Sequence, residues 1–398
     1  MIKHLLRITM LFLLPILMLS GCTEQFILQT ENFEDAIVVE ATLTNELKQQ
    51  EIKISHTYKL EATAPIIETG AQVYVTDSDG NQYDFEENGD LYQSTLPFKA
   101  EPRKAYRLNI TTQNGKTYQS SSEVLTTENP MQEVTPTVMQ KDGQRGVGIV
   151  VNCYDPSNSS KYYRYDYVET YKIIAPQWDN DKTILTQDSN GTGILIVPRT
   201  EETQTCYSTV SSTDIIQTST NDLSEDRVNF AMRFISNQNY IITHRYSIMV
   251  RQYVQSLAAY TFYKTLKESS GSGSILSQNQ PGFFYGNMKS VDNPNEKVIG
   301  FFEVASVSSQ RIFFNYADLF PGEPRPPYFT ACDIRQYKYC FDFNDPDCKG
   351  AALLSSIGSN SLVYVDSDGN QTYFFMVLPP CGDCTTFSSN IKPSFWID

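Results

Sequence analysis

The sequence predicts a mostly β protein: an N-terminal immunoglobulin-like β-sandwich over 36–128, then a larger β-rich domain over 131–398 with one helix near 256–267. Three observations predict it. Tyr (25) and Phe (22) are abundant, and aromatic side chains among polar partners fit a pleated, half-buried surface better than a helix bundle. Short alternating runs recur with turn signals between them. Asn129-Pro130 and Thr135-Pro136 then interrupt the pattern. Proline cannot donate to a ladder and restricts the residue before it, so the pair marks a boundary. A chain of 398 residues is long enough for two cores.

The N-terminal series opens with Ile37-Val38-Val39-Glu40-Ala41-Thr42-Leu43 and the alternating Ile52-Lys53-Ile54-Ser55. Ala71 to Thr76 alternates and runs into Asp77-Ser78-Asp79-Gly80-Asn81, a hairpin signal, with Tyr83-Asp84-Phe85 returning. Leu91 to Ser94, Ala105 to Ile110 and Thr117 to Ser120 complete it, the last two joined by Asn114-Gly115. Regular short strands of this kind suggest a sandwich, and the Tyr106 region resembles a tyrosine corner.

The second domain begins with Gly146 to Cys153 and continues through Tyr162 to Tyr171, where tyrosines alternate with polar and charged residues. A strand with one packed and one wet face reads this way. Ser256 is a candidate N-cap, with Leu257, Tyr260, Phe262 or Tyr263, and Leu266 near a helical period up to Lys267. Two strands are expected at Val298–Val307 and Arg311–Asn315. Pro321 to Pro327 is a proline-rich loop, and a second Asp-Ser-Asp-Gly-Asn turn at 366–370 closes a late hairpin.

The first 35 residues read differently. Lys3 and Arg7 form a basic region, an uncharged apolar run follows from Ile8 to Leu19, and Leu19-Ser20-Gly21-Cys22 comes next. This is the order of a secretory signal. The run is shorter than the roughly 20 residues that a membrane-crossing helix needs. Cysteine after Leu-Ser-Gly resembles a lipobox, so residues 1–21 are expected to be a signal peptide and Cys22 the lipidation site. Residues 22–35 then form a polar tether. More than one acyl chain would anchor the protein stably.

The precursor carries 31 basic and 46 acidic side chains, net −15. Removing Lys3 and Arg7 leaves 29 against 46, or −17. Such a chain repels nucleic acid, and no nucleic-acid partner is expected. Of eight cysteines, seven remain besides Cys22: Cys153, Cys206, Cys332, Cys340, Cys348, Cys381 and Cys384. An oxidising compartment makes disulfides the default, and an odd number leaves at least one thiol over. Cys153–Cys206 is the economical pairing, since the other five cluster near the C-terminus. Cys381-Gly-Asp-Cys384 is expected to pair with cysteines at 332, 340 and 348 rather than hold a metal.

No catalytic residue is expected. Only His56 and His244 survive maturation, and no Gly-x-Ser-x-Gly, His-Glu-x-x-His or phosphate loop is present. His244 falls in the strand-like run Ile241–Ile248, where a structural histidine is the simpler reading. Asp77/Asp79, Asp366/Asp368 and Asp342-Phe-Asn344-Asp345-Pro-Asp347 offer hard oxygen ligands, but none has EF-hand spacing and turn chemistry accounts for the Asp-Gly pairs. No metal and no cofactor are expected. Aromatics that would bind a sugar, a peptide or a partner are Tyr163, Tyr165, Phe283, Phe284 and Tyr285, with the sandwich core as the plainer alternative.

Several segments stand in a set order: Tyr162-Tyr163-Arg164-Tyr165 with Glu169-Thr170-Tyr171, Arg245 to Tyr253 leading into Tyr260-x-Phe262-Tyr263, and Gln280-Pro281-Gly282-x-x-Tyr285-Gly286-Asn287. Gly300 to Val307 and Cys381-x-x-Cys384 with Lys392-Pro393-Ser394-Phe395-Trp396 complete the set. In this order they resemble a large family of Bacteroidetes outer-membrane lipoproteins built on a domain of unknown function. Such lipoproteins are commonly encoded beside TonB-dependent receptors. The resemblance implies a non-catalytic accessory or binding subunit of such a β-barrel receptor, lipid-anchored in the outer membrane and facing the cell exterior. A small ligand, glycan or peptide would be its cargo. A structural or adhesive envelope protein is the alternative, and a secreted hydrolase comes third.

Overall fold

A computed structural model describes residues 35–58, 64–189, 191–271, 286–342 and 344–398. The expected signal peptide, Cys22 and tether, and the candidates Phe283, Phe284 and Tyr285, lie outside the described residues.

The protein is mostly β. In the first part the strands are β1 (Ile37–Thr44), β2 (Glu51–His56), β3 (Ile66–Ile67), β4 (Gln72–Asp77), β5 (Gln82–Asn88), β6 (Leu91–Ser94), β7 (Ala105–Thr111), β8 (Thr117–Ser120) and β9 (Glu123–Val124). Then follow β10 (Glu133–Lys141), β11 (Gln144–Asp155), β12 (Tyr162–Ile174), β13 (Asp181–Asp188), β14 (Gly191–Pro198), β15 (Thr205–Ser211), β16 (Ile216–Ser219), β17 (Asp226–Ser236) and β18 (Arg245–Gln255). After helix α1 (Leu257–Gly271) come β19 (Met288–Ser290), β20 (Val298–Asn315), α2 (Tyr316–Leu319), β21 (Arg335–Lys338), α3 (Gly350–Gly358), β22 (Val363–Ser367), β23 (Tyr373–Val377) and α4 (Pro379–Gly382).

The expected N-terminal strands form where alternation placed them. In β1, Ile37, Val39, Ala41 and Leu43 are buried, as period-2 alternation requires. Tyr106 is fully buried, and its hydroxyl accepts the backbone N–H of Glu101 at 2.9 Å, the kind of upstream anchor a tyrosine corner makes. The two Asp-Ser-Asp-Gly-Asn turns differ. Gly80 takes the left-handed conformation in the first, whereas at the second it is Gln371, the residue just after the turn, that takes it. Ser256 caps α1 by accepting the N–H of Ala259 at 3.2 Å.

The hydrogen bonding does not divide this region into the two sheets of an immunoglobulin-like sandwich. One continuous path runs β15-β12-β18-β20-β1-β2-β6-β5-β4-β7-β8-β19. Nor does the N-terminal core close at residue 128. Met288, Val298, Phe302 and Val304 pack into it with Ile54, Tyr92 and Leu108. The expected pair of strands at 298–307 and 311–315 is one 18-residue strand, β20. Its first half pairs parallel with β1, Ile37 opposite Val298 through Thr44 opposite Ala305. Its second half pairs antiparallel with β18, Val254 opposite Ser306 through Arg245 opposite Asn315. A second core lies between β12, β18 and the separate β10-β11-β17 sheet.

The cysteines correct two expectations. Cys381 does pair within the 332, 340 and 348 group, but Cys384 pairs outside it. Cys153 does not pair with Cys206: Cys206 joins Cys384, Cys332 joins Cys381 and Cys340 joins Cys348. Cys153 is a buried free thiol on β11, its Sγ 3.4 Å from Gln252 Oε1, and burial pushes its pKa up to about 11. The Cys206–Cys384 bridge closes 178 residues, for which the chain-entropy model gives about 5 kcal/mol of stabilisation. It draws the C-terminal segment onto the sheet, where Trp396 packs against Tyr207 and Phe313.

Gly300 is the tightest point of the β1–β20 seam. Its φ is +146°, and a Cβ there would stand 2.3 Å from the Val39 carbonyl oxygen. Gly300→Ala should therefore destabilise the fold by about 2–4 kcal/mol, from backbone strain plus the clash. Equilibrium unfolding in denaturant measures this, with Gly115→Ala as the comparison, because a Cβ at that hairpin meets open space.

Candidate functional site

Alternation on β12 does two things. Tyr163 and Tyr165 point into the core, fully buried. The Tyr163 hydroxyl has the Ser160 carbonyl at 2.6 Å and Asp226 Oδ1 at 2.9 Å as acceptors for its one proton, and it accepts from Asn129 Nδ2 (2.8 Å). The Tyr165 hydroxyl donates to Gln252 Oε1 at 2.9 Å. These two expected binding aromatics are thus core residues with spent hydroxyls. The pattern of alternation was legible, but it does not say which face meets solvent.

The intervening residues Arg164 and Asp166 face a cleft of about 430 Å³ formed by β1, β2, β12, β18 and α1. Register sets its floor. Arg164 lies opposite Tyr253 and Asp166 opposite Arg251 on β18. The Arg164 guanidinium stacks over the Tyr253 ring (4.2 Å to the centroid) and the Tyr263 ring of α1 (5.1 Å). It pairs with Glu303 of β20 at 3.2 Å and reaches the Thr42 hydroxyl of β1 at 3.4 Å. Gln255 Nε2 donates to the other Glu303 oxygen at 2.9 Å, and Tyr253 donates to Asp166 at 2.8 Å. Five elements therefore meet at one cation.

Burial opposes the charge on Arg164, but Glu303 and the two tyrosines outweigh it and leave its pKa raised. Burial likewise pushes Tyr253 up, and Tyr263 up to about 12. Both phenols stay protonated at neutral pH. Around this floor the rim carries Lys48, Lys53, Glu40 and Asp214 together with the hydroxyls of Ser212 and Thr213. Aromatic faces below a rim of mixed charge and hydroxyls suit a polar, hydrogen-bonding ligand. Arg164 and Glu303 both stand in segments that sequence reading singled out, yet neither carried a signal of its own. Their meeting depends on the β18–β20 register.

The remaining sequence candidates are occupied locally. His56 Nδ1 lies 2.8 Å from Asp35 and Nε2 2.8 Å from Glu68. His244 sits in a bend just before β18 rather than within a strand. Burial first, and then Arg325 and Lys172, lower its pKa to about 4. Asp77 accepts from Asp79 N, Asn81 N, Asn81 Nδ2 and Tyr83 Oη, so its turn is self-satisfied. Burial raises its pKa, but these donors outweigh that and hold it below the usual value. Asp345 pairs with Lys338, and Asp342 accepts from Asn344.

Two predictions follow from these pairings. Glu303→Leu leaves Arg164 buried without its counter-ion and should cost about 3–5 kcal/mol, whereas Glu303→Leu combined with Arg164→Met should recover most of that. Chemical unfolding of the two variants decides it. For His56, burial lowers the pKa but the Glu68 and Asp35 carboxylates win, and the folded pKa is raised. That stabilisation is fully present below the unfolded value of about 6.5 and is lost as pH rises through the folded pKa. Thermal unfolding across that window should show it, and His56→Gln should flatten it.

Solved structures offer only faint likeness. A DUF4785 family protein from Legionella pneumophila subsp. pneumophila str. Philadelphia 1 is 8% identical with a TM-score of 0.18, covering 54% of this chain and 51% of that one. A pullulanase complexed with maltotriose, from Anoxybacillus sp. LM18-11, is 15% identical with a TM-score of 0.14, covering 45% and 25%. The chain thus spans about half the length or less of the structures it matches. No curated protein matches. A family model does, over residues 23–311, and so without the Cys381-x-x-Cys384 ending. On that match, which takes in the Arg164 cleft and ends within β20, the chain belongs to the family of the domain of unknown function DUF4249.

Proposed function

We propose that this protein is a lipid-anchored outer-membrane lipoprotein, facing the cell exterior, that serves as a non-catalytic accessory or binding subunit of a TonB-dependent receptor. The observation that carries the anchor is Leu19-Ser20-Gly21-Cys22 directly after a basic and then an apolar leader. The resemblance to Bacteroidetes lipoproteins encoded beside such receptors supports the partner. Three disulfides accord with an oxidising envelope. Among the described residues, no helix is long and apolar enough to cross a membrane. In this reading the Arg164 cleft takes the cargo, a glycan or peptide held by stacking and rim hydrogen bonds.

A second reading, an adhesive or structural envelope protein, draws on the β13–β14 hairpin. It is a two-stranded sheet of its own and exposes Ile184, Leu185 and Leu195. One experiment separates the two. Affinity purification from native membranes in mild detergent should recover a large β-barrel protein with the wild-type chain, and Cys22→Ala should leave the membrane fraction. Recovery of the wild-type chain alone counts against the receptor partnership, and loss of adhesion with normal nutrient uptake on deletion favours the second reading.

A further inference from the structure

A second cleft, of about 330 Å³, opens where β12, β18 and β20 end. Tyr171 registers with Tyr246, so Lys172 and Arg245 emerge next to each other along adjacent strands. Lys172, His244, Arg245 and Arg325 line the cleft, with Asp398 the carboxylate among its walls. Asp398 is paired with Lys392. Arg245 is also engaged, by the Ile397 carbonyl and by Asn315 at 3.2 Å. Lys172 and Arg325 make no side-chain hydrogen bond and no close ion pair with the described residues. Beside them the Thr243 hydroxyl is buried with no hydrogen-bond partner. A chain with a net charge of −15 has thus gathered cations and an orphaned hydroxyl at one concavity.

We propose that this cleft binds an oxyanion, a phosphate or carboxylate group of a small solute or a lipid headgroup, through Lys172, Arg325 and the Thr243 hydroxyl, with His244 alongside. Asp398 lies within electrostatic reach of Lys172 but is itself paired with Lys392, so an oxyanion supplies the close counter-charge that Lys172 and Arg325 lack and the partner that Thr243 lacks. It also changes His244. The groups facing this imidazole are Lys172 from β12, Arg245 at the start of β18, Arg325 from the loop after α2, and Asp398. Burial and the cations Arg325 and Lys172 keep His244 neutral down to about pH 4. A bound anion opposes both cations, so binding and protonation of His244 reinforce each other.

The test is a titration of the folded protein carrying carbon-13-labelled histidine, followed by NMR at constant ionic strength. Inorganic phosphate, succinate and phosphatidylglycerol vesicles are added in separate arms, with sodium chloride as the control. Saturation by phosphate or succinate should move the His244 midpoint upward by about one pH unit or more while His56 stays put. Lys172→Gln or Arg325→Gln should weaken binding roughly tenfold or more. A response to phosphate or succinate assigns the site to a soluble anion, and a response to vesicles alone assigns it to a lipid headgroup. Either supports the proposal. No response in any arm, or an equal response to chloride, overturns it.

Discussion

The parallel pairing of β1 with the first half of β20 is the constraint on which the rest of the molecule depends. Among the described residues, the other paired strands are antiparallel. This one joins residues about 260 positions apart, and ordering so long a loop costs several kcal/mol before any contact rewards it. What offsets the cost is burial. Val298, Phe302 and Val304 enter the N-terminal core, while Phe314, farther along the same strand, enters the second. A single rigid strand thereby fixes both cores in one frame. Gly300 is required because β1 passes too close for any side chain.

The Arg164 cleft is a consequence of that seam. Glu303 arrives on β20, Thr42 on β1, Arg164 on β12, Tyr253 on β18 and Tyr263 on α1. A buried ion pair is weak support for stability by itself, because desolvation consumes much of the Coulomb gain. Its stronger effect is on register. Slipping β18 or β20 by one residue would move Glu303 or Tyr253 to the opposite face and strand the guanidinium. Glu169 plays a similar part in the second core, held by Arg233 at 3.2 Å and the Tyr246 hydroxyl at 2.5 Å. Glu169 and Glu303 are thus each met by donors from other strands, which ties the satisfaction of both to the strand register.

What could be read in advance was local. Asn114-Gly115 and the first Asp-Ser-Asp-Gly-Asn turn announced their hairpins because short turns are decided by the residues within them. Ser256 announced α1 for the same reason. What escaped was long-range. Ser308-Ser309-Gln310 looks like a break between two strands, yet it lies inside β20 because β18 pairs with it throughout. Cys206 looked nearest to Cys153 along the chain, but β11 belongs to a different sheet, and Cys384 comes to β15 from 178 residues away. The helix α3, Gly-Ala-Ala-Leu-Leu-Ser-Ser-Ile-Gly, is too short to display a period. It forms because Leu353 and Ile357 pack on Phe374 and Met376 of β23. The candidate site was legible as segments only, since nothing in a single sequence says that residues 164 and 303 meet.

Both clefts lie on the same face of β12. Arg164 and Asp166 serve one, and Lys172 and Ile174 the other. Even-numbered positions of this strand share a side while Tyr163, Tyr165 and Ile173 fill the core behind it. From Asp166 to Lys172 is six residues, or about 20 Å of extended chain. No small ligand spans that distance, so the two clefts are separate. Their chemistry differs accordingly. In the first, cation and carboxylate are already matched, and the cation rests on two aromatic rings. In the second, Lys172 and Arg325 carry no close ion pair among the described residues, and the proposed recognition falls to charge.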